Sequence, residues 1–368
     1  MNGYSRSISE THAWKRVLVI FFTTATLSVL LFAQSPEIDH WDLGIATSDA
    51  DLSADDHLLA VILKSSPGAQ PAAAQIADSV ELWDYRDHKK VASAKLGSSP
   101  VRVRFTADGS LLTVAESTRV EVLDAATLKT VRLIQPPLAE HFAISAMEVS
   151  PAAHLAIITA DKGGIYGLMF AYDLDTDRLL LEWKPPGAVQ SISWKPDGTQ
   201  FAVAALFGSE VDVFSAETWL HVQSLSAKNA ASLAFSRDRL YVVQTSFSKG
   251  SVFKRKLGIT AFDAHGWKRQ NKIFLSNKDI HGSVSFANGR LLADTGTVKT
   301  DYDWSDMVGY AFATDTRVTI WEGDGRSVIF TSAPLAIPKR RSDINMRLSR
   351  TGKMVLLDPQ QPQVFHVP

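Results

Sequence analysis

The chain is built from short runs in which apolar and polar positions alternate, and the runs recur in a fixed order. From residue 101 to 134 the sequence reads VRVRF, the turn letters TADG, and then SLLTVA, RVEVLD and TVRLI. In the first run Val101, Val103 and Phe105 alternate with two arginines, which is the period of a half-buried β-strand. Four such runs separated by turn residues predict a four-stranded antiparallel unit.

The same order returns over residues 144–183 and 189–225. Turn residues occupy the same place in seven units, after the first strand of each. Asp-Gly and Asn-Gly are the pairs expected where a tight hairpin needs positive φ. The seven pairs are Asp55-Asp56, Asp108-Gly109, Ala152-Ala153, Asp197-Gly198, Asp238-Arg239, Asn288-Gly289 and Thr351-Gly352.

A second landmark is a polar residue at the end of the third strand, and it recurs every 40 to 49 residues. That period suits a propeller blade of four strands. Because one carboxylate per unit can accept backbone N–H bonds in the following turn, we interpret these positions as structural turn residues. An active site would need unlike residues that converge. The landmark residues are Asp84, Asp124, Asp173 and Asp263, with Ser215 in the fourth unit.

The seventh unit contains only three strand signals before the chain stops at Pro368. Residues 40–48, HWDLGIATS, can supply the fourth strand and so remove exposed sheet edges. The sequence therefore predicts an all-β, seven-bladed propeller of four-stranded blades over residues 40–368. Its last blade is completed by the N-terminal strand.

The PDG or ADG turn and the VxVxD strand with a following threonine resemble the repeats of WD-repeat and YVTN-type bacterial propellers. The resemblance is strongest in units two to four, and only Trp83-Asp84 keeps the Trp-Asp dipeptide. It implies an interaction platform, since such families act mainly in binding, although some members are enzymes.

A hydrophobic segment precedes the repeats. Residues 17–33 carry no charge and follow Lys15 and Arg16. The segment is long for the core of a signal peptide and short for a membrane span, so residues 1–33 are predicted to be one or the other, as a hydrophobic helix. Residues 34–39 form a linker. Under either alternative the basic residues stay inside, which predicts an extracytoplasmic propeller and allows membrane association through 17–33.

Composition narrows the function classes. The formal net charge of −1 gives no electrostatic case for nucleic acid, and the absence of cysteine excludes disulfides and thiolate chemistry. The ten histidines show no zinc-protease spacing, and no phosphate-binding or nucleophile-elbow motif occurs. No cofactor, metal site or catalytic residue is predicted.

The sixth unit departs most from the repeat. We expect residues 294–312 to form a loop that interrupts the blade, with Tyr302 and Trp304 flanked by aspartates. Tyrosine and tryptophan are typical anchors of protein interfaces, so these two are candidate partner-binding residues.

Two basic stretches, residues 249–258 and 338–343, are candidates for contact with an anionic partner or lipid headgroup. Lys339, Arg340 and Arg341 are the residues chosen from the second stretch.

The sequence thus favours a non-enzymatic module of the cell envelope that binds a partner protein or an extracellular ligand. The alternative is a propeller enzyme, a lactone hydrolase or an oxidoreductase-like protein, with its site at the central channel. That alternative requires polar groups from several blades to meet in the channel, with at least one perturbed pKa.

Overall fold

The computed structural model describes residues 40–43, 47–63, 78–97, 99–247, 255–270, 279–303, 308–322, 327–332, 346–357 and 362–367. The predicted N-terminal helix and the linker 34–39 lie outside these ranges. Within these ranges there is no helix long and apolar enough to cross a bilayer.

Within the described residues, twenty-seven strands form seven separate antiparallel sheets, and His40–Val367 make one compact unit. Blades 1 and 2 contain β2 (Asp49–Leu52), β3 (Leu58–Leu63), β4 (Ser79–Asp84) and β5 (Lys89–Lys95), then β6 (Pro100–Phe105), β7 (Leu111–Glu116), β8 (Val120–Asp124) and β9 (Thr130–Ile134). Blades 3 and 4 contain β10 (Ala143–Val149), β11 (Leu155–Lys162), β12 (Tyr166–Asp173) and β13 (Leu179–Trp183), then β14 (Val189–Trp194), β15 (Gln200–Ala205), β16 (Glu210–Ser215) and β17 (His221–Ser226).

Blade 5 contains β18 (Ala230–Phe235), β19 (Arg239–Phe247) and β20 (Arg255–Asp263), and blade 6 contains β21 (Asp279–Ala287), β22 (Arg290–Asp303), β23 (Val308–Glu322) and β24 (Val328–Thr331). Blade 7 contains β25 (Met346–Leu348), β26 (Met354–Leu357), β27 (Gln363–His366) and β1 (His40–Asp42). The prediction of a seven-bladed propeller is therefore confirmed. In the described part of the chain, blade 5 has three strands and the other six blades have four.

The ring closes where the sequence analysis expected. β1 pairs with β27 in the register His40↔Phe365, Trp41↔Val364 and Asp42↔Gln363. The N-terminal strand is therefore the outermost strand of the last blade, and both ends of the repeat array share one sheet.

The hydrophobic core lies between the blades. The middle strands are apolar on both faces, as in β3, where five of six residues are buried, while the outer strand β5 is mostly exposed. Ile62 and Leu82 of blade 1 share a cluster with Val103 and Phe105 of blade 2. Each sheet therefore buries both faces against its neighbours, which is why single-face alternation is weak in the middle strands.

The two faces of the disc carry different connections. The turns after the first and third strands of each blade lie on one face, here called the turn face. The connections after the second and fourth strands lie on the other, here called the connection face. Residues 135–142, the connection after the fourth strand of blade 2, belong to the connection face.

Blade 6 extends beyond this face. Its innermost strand pairs with β22 only as far as Gly296, whereas β22 and β23 go on pairing from Thr297↔Thr314 to Asp303↔Val308. Residues 297–303 and 308–314, here called the ribbon, add about 23 Å of two-stranded sheet. The expectation of a loop interrupting the blade over 294–312 is wrong. The aspartates masked an alternation rich in threonine and valine, which favours strands.

Candidate functional site

The innermost strands bring seven equivalent side chains to the central channel. All seven line a single cavity of about 450 Å³. In blade order they are Asp51, Arg104, Glu148, Ser193, Ala234, Ser285 and Arg347. The charged residues belong to blades 7, 1, 2 and 3, and the uncharged ones to blades 4, 5 and 6, so the channel has a charged wall and an uncharged wall.

Arg104 is the centre of the charged wall. Its side chain is only 4% exposed, and its guanidinium donates to both carboxylate oxygens of Glu148, at 3.2 and 2.9 Å. It also donates to Asp49, whose carboxylate accepts the Val103 backbone N–H at 3.0 Å. Two carboxylates and one arginine from three blades therefore form one buried ion-paired group.

Two arginines of blade 7 reach across to the same wall. Arg347 donates to Glu148 at 3.0 Å and lies 3.8 Å from Asp51. Arg350 donates to the backbone carbonyls of Phe105 and Thr106, at 2.8 and 2.9 Å. The closing blade is thus tied through the channel to blades 1, 2 and 3, in addition to the three-residue strand β1.

Burial perturbs the titration of this group. It raises the pKa of the Glu148 carboxyl above its ordinary value, although the charge of Arg104 opposes the rise. It raises the pKa of the Asp51 carboxyl for the same reason, again against Arg104. Burial disfavours the charge of Arg104 itself, but the surrounding carboxylates outweigh that effect and raise its pKa. The 30% exposed fraction of the Glu148 side chain faces the cavity.

The uncharged wall is held by hydroxyl groups. The oxygens of Ser191 and Ser193 accept the backbone N–H groups of Leu233 and Phe235 in the next blade, at 3.1 and 2.9 Å. Ser232 accepts from Val284 at 3.2 Å, and Ser285 accepts from Leu348 at 3.1 Å. On the charged wall, the Asp51 carboxylate accepts the backbone N–H of Phe105 at 2.9 Å. Short polar side chains thus join successive inner strands around the channel.

This arrangement meets one requirement of the enzyme alternative, because polar groups from four blades converge with perturbed pKa values. Among the described lining residues it lacks a histidine that could activate a nucleophile. Four of their serine oxygens accept backbone N–H groups, and the fifth serine, Ser349, donates its hydroxyl to the Asp56 carboxylate at 3.0 Å.

The predicted turn residues lie on the turn face. In each case one carboxylate oxygen accepts two backbone N–H groups or a backbone N–H and a hydroxyl. Asp84 accepts from Arg86 and Asp87, Asp173 from Asp175 and Thr176, Asp263 from His265 and Gly266, and Asp124 from the N–H and hydroxyl of Thr127. Hydrogen bonds lower the pKa of the Asp84, Asp124 and Asp263 carboxyls.

The structure describes one of the five predicted partner-binding residues. Tyr302 lies on the ribbon, where its backbone pairs with Gly309. Trp304, Lys339, Arg340 and Arg341 lie outside the described residues. The strands that flank these four residues end or begin on the connection face, at Asp303, Thr331 and Met346.

An exposed apolar patch on the connection face was not anticipated. Ile165, Tyr166 and Phe207 are 49%, 60% and 74% exposed; Ile165 and Phe207 lie in neighbouring connections of blades 3 and 4, and Tyr166 is the first residue of β12. Ala188 joins the two connections, since its N–H donates to Ile165 at 2.8 Å and its carbonyl accepts from Leu206 at 2.7 Å. The one signal in the sequence was the glycine-rich DKGGIYG at 161–167, which is too common in turns to identify a surface.

Similarity to known proteins is confined to the fold. No model of a protein family and no curated protein sequence matches the chain. A chain in the crystal structure of a mitotic checkpoint complex is similar at a TM-score of 0.62 and 16% identity, over 90% of this chain and 94% of that one. The β-propeller domain of Cps50 (Swd1) from Myceliophteria thermophila is similar at a TM-score of 0.59 and 11% identity, over 89% and 100%. Both neighbours are WD40 propellers, and at these identities the likeness shows that this chain shares their seven-bladed fold.

Proposed function

We propose that the chain is a non-enzymatic binding module of the cell envelope that holds a partner protein or an extracellular ligand against its connection face. The asymmetry of the disc carries this proposal. Among the described residues, the turn face consists of short turns, several of which are closed by their own side chains. The connection face has the longer segments, the ribbon and the apolar patch of Ile165, Tyr166 and Phe207.

Exposed apolar groups on rigid connections are suited to partner contact. Contiguous exposed patches on soluble proteins often mark interaction sites, and aromatic side chains supply much of the binding energy. One structural neighbour comes from a multi-chain complex, which supports a partner protein. We extend the proposal to Tyr302, Trp304, Lys339, Arg340 and Arg341, because the strands next to them reach the same face. We also propose that units two to four are YVTN-type repeats, because their turns and strands resemble that type.

Site-specific photocrosslinking in cells tests it. A photoreactive amino acid is placed at Tyr166, Phe207 or Tyr302, and in matched controls at Arg86 or Ala126 on the turn face. We expect the three connection-face positions to yield the same covalent partner and the two turn-face positions to yield none. Equal crosslinking from both faces would contradict the proposal.

The extracytoplasmic location rests on the uncharged segment 17–33 after Lys15 and Arg16. Because the chain has no cysteine, a single introduced one reports its own compartment. We expect Ala126→Cys, at an exposed turn, to react with a membrane-impermeant maleimide in intact cells. Labelling only after lysis would place the propeller in the cytoplasm.

The enzyme alternative retains one supporting observation, the convergence of Asp51, Arg104 and Glu148 with raised pKa values. A lactone hydrolase should hydrolyse a lactone such as dihydrocoumarin, and Glu148→Gln should abolish the turnover. Absence of turnover by the folded wild-type protein would count against that chemistry.

A further inference from the structure

Among the three arginines that line the channel, Arg347 makes the fewest hydrogen bonds within the described residues. It makes one hydrogen bond within the described residues, to Glu148 at 3.0 Å, whereas Arg104 makes four. Its side chain is 24% exposed and lines the cavity, against 4% for Arg104. A guanidinium has five N–H donors, and within the described residues only one of those on Arg347 has an acceptor, although its Nη1 also lies 3.8 Å from Asp51.

The adjoining uncharged wall adds further donors. The oxygens of Ser193 and Ser285 already accept backbone N–H groups, and their hydroxyl protons have no acceptor among the described residues. Ser285 is next to Arg347 in the ring, since it accepts the N–H of Leu348. The buried indole N–H of Trp194, a residue only 8% exposed that lines the cavity, has no partner in the described part of the chain.

Donors that lack acceptors among the described residues define the chemistry of a ligand that this cavity would accept. A guanidinium fork beside a hydroxyl is complementary to a carboxylate, which accepts two parallel N–H bonds and further hydrogen bonds. Apolar side chains such as Leu233, Val284 and Phe286 line the same cavity and suit a short apolar body. The volume of about 450 Å³ lies within the usual range for small-ligand pockets.

We propose that the channel cavity binds a carboxylate, held by the guanidinium of Arg347 and the hydroxyl of Ser285. Its apolar body lies against the uncharged wall. The carboxylate belongs either to a small organic acid or to the C-terminus of a peptide. This inference does not depend on the proposed role of the connection face.

The carboxylates already in the channel do not prevent such binding. Asp49, Asp51 and Glu148 are balanced by Arg104, Arg347 and Arg350, so these six groups have no net charge at neutral pH. Glu148 is held by both guanidiniums of Arg104 and Arg347, and Asp51 accepts the Phe105 N–H. The ligand position at Arg347 and Ser285 lies toward the wall that carries no acid.

Isothermal titration calorimetry on the folded chain tests the proposal with two probes. The first is 3-phenylpropionate, a small acid, and the second is N-acetyl-alanyl-phenylalanine, which has a peptide C-terminus. The corresponding carboxamides serve as uncharged controls. We expect at least one acid to bind saturably and its amide to bind at least tenfold more weakly. The acid that binds identifies the source of the carboxylate.

Substitutions then locate the site. Arg347→Met should weaken binding at least tenfold, and Arg347→Lys should weaken it less because the charge remains without the fork. Arg102→Met is the matched control, since Arg102 belongs to an inner strand and lies outside the cavity lining. Failure of both acids to bind the wild type, or equal affinity in a folded Arg347→Met variant, overturns the proposal. If Arg347→Met does not fold, the proposal is tested by the difference in affinity between each acid and its amide and by the affinity of Arg347→Lys.

Discussion

Non-glycine residues at positive φ fall into two groups. Some recur at the same place in successive blades, whereas Phe207 has no counterpart in the described part of the other blades. In five blades, the turn after the third strand places a non-glycine residue at positive φ four positions after the landmark residue. These residues are His88, Leu128, Asp177, Trp219 and Trp267. In three of the turns that residue donates its N–H back to the landmark carbonyl, as Trp219 does to Ser215 at 2.9 Å. Because this strained conformation recurs in successive blades, it is a structural feature of the repeat.

Phe207 differs, because its φ of 61° occurs in a connection without such a repeat, and its ring is 74% exposed. A bulky residue there is strained by about 1 kcal/mol or more, with no packing to offset it. We expect Phe207→Gly to raise the free energy of unfolding by about 1 kcal/mol in urea titration. In the same variant, a photoreactive residue at Tyr166 should no longer crosslink to the partner.

Phe207→Ser serves as the control for this prediction, because it removes the ring and keeps a side chain at positive φ. It should lose the partner without the gain in stability. A glycine variant that is less stable than the wild type would refute the strain argument.

His154 links two blades on the turn face. Its ring nitrogens lie 3.1 Å from Asp108 of blade 2 and 2.9 Å from Asp175 of blade 3. Burial disfavours the charged imidazole, but the hydrogen bonds to Asp175 and Asp108 outweigh it and raise the pKa above 6.5. A raised pKa means that the folded chain binds the proton more tightly than the unfolded chain.

The stability from this pair of contacts is therefore complete below about pH 6.5 and is lost as the pH rises through the folded pKa. We expect the difference in unfolding free energy between the wild type and His154→Gln to shrink over that interval. His221→Gln is the control, because His221 contacts Asp212 within one blade. A difference that does not change with pH would contradict the assignment.

At the scale of elements, the ribbon is separable from the blade that carries it. The blade 6 pairs below it, such as Leu291↔Trp321 and Leu292↔Ile320, involve fully or almost fully buried residues. The backbone of the ribbon pairs only with itself in the described part of the chain, so its removal leaves the other strand pairs of blade 6 in place.

We expect replacement of residues 297–314 by an Asn-Gly turn to leave the melting temperature within about 3 °C of the wild type. The same deletion should abolish crosslinking from Phe207 if the ribbon and the apolar patch hold one partner. Unfolding of the shortened chain would instead make the ribbon part of the fold.

At the scale of the whole molecule, the closing blade is held in two ways. Strand exchange through β1 involves three residue pairs, and the channel adds Arg347 and Arg350 across to blades 1, 2 and 3. A further contact joins the turns of blades 7 and 1, where Asp56 accepts the hydroxyls of Ser349, at 3.0 Å, and Thr351.

Removing one member of a buried ion-paired group leaves the others uncompensated, and such losses are typically about 3 kcal/mol. We expect Glu148→Ala to lower the free energy of unfolding by about that amount in urea titration. Glu182→Ala, on an outer strand, should change it by less than about 0.5 kcal/mol. Equal stability of the two variants would mean that the channel group does not hold the ring.

The repeat order and the turn pairs were predictable from the sequence, because each depends on residues near one another in the chain. The closing strand was predictable because the last unit has only three of its four strand signals. The period of two, the turn residues at fixed offsets and the incomplete last unit are local signals. The landmark aspartates belong to this class too, since each contacts N–H groups only two or three residues away.

The channel and the two faces were decided by the tertiary structure alone. Arg104, Glu148 and Arg347 are separated by 44 and 199 residues, and in the sequence each is one polar position on an alternating strand. Only ring closure places them in one cavity. The exposure of Phe207 likewise depends on how two connections meet at Ala188, because a phenylalanine in a sequence resembles any core residue until its neighbours are known.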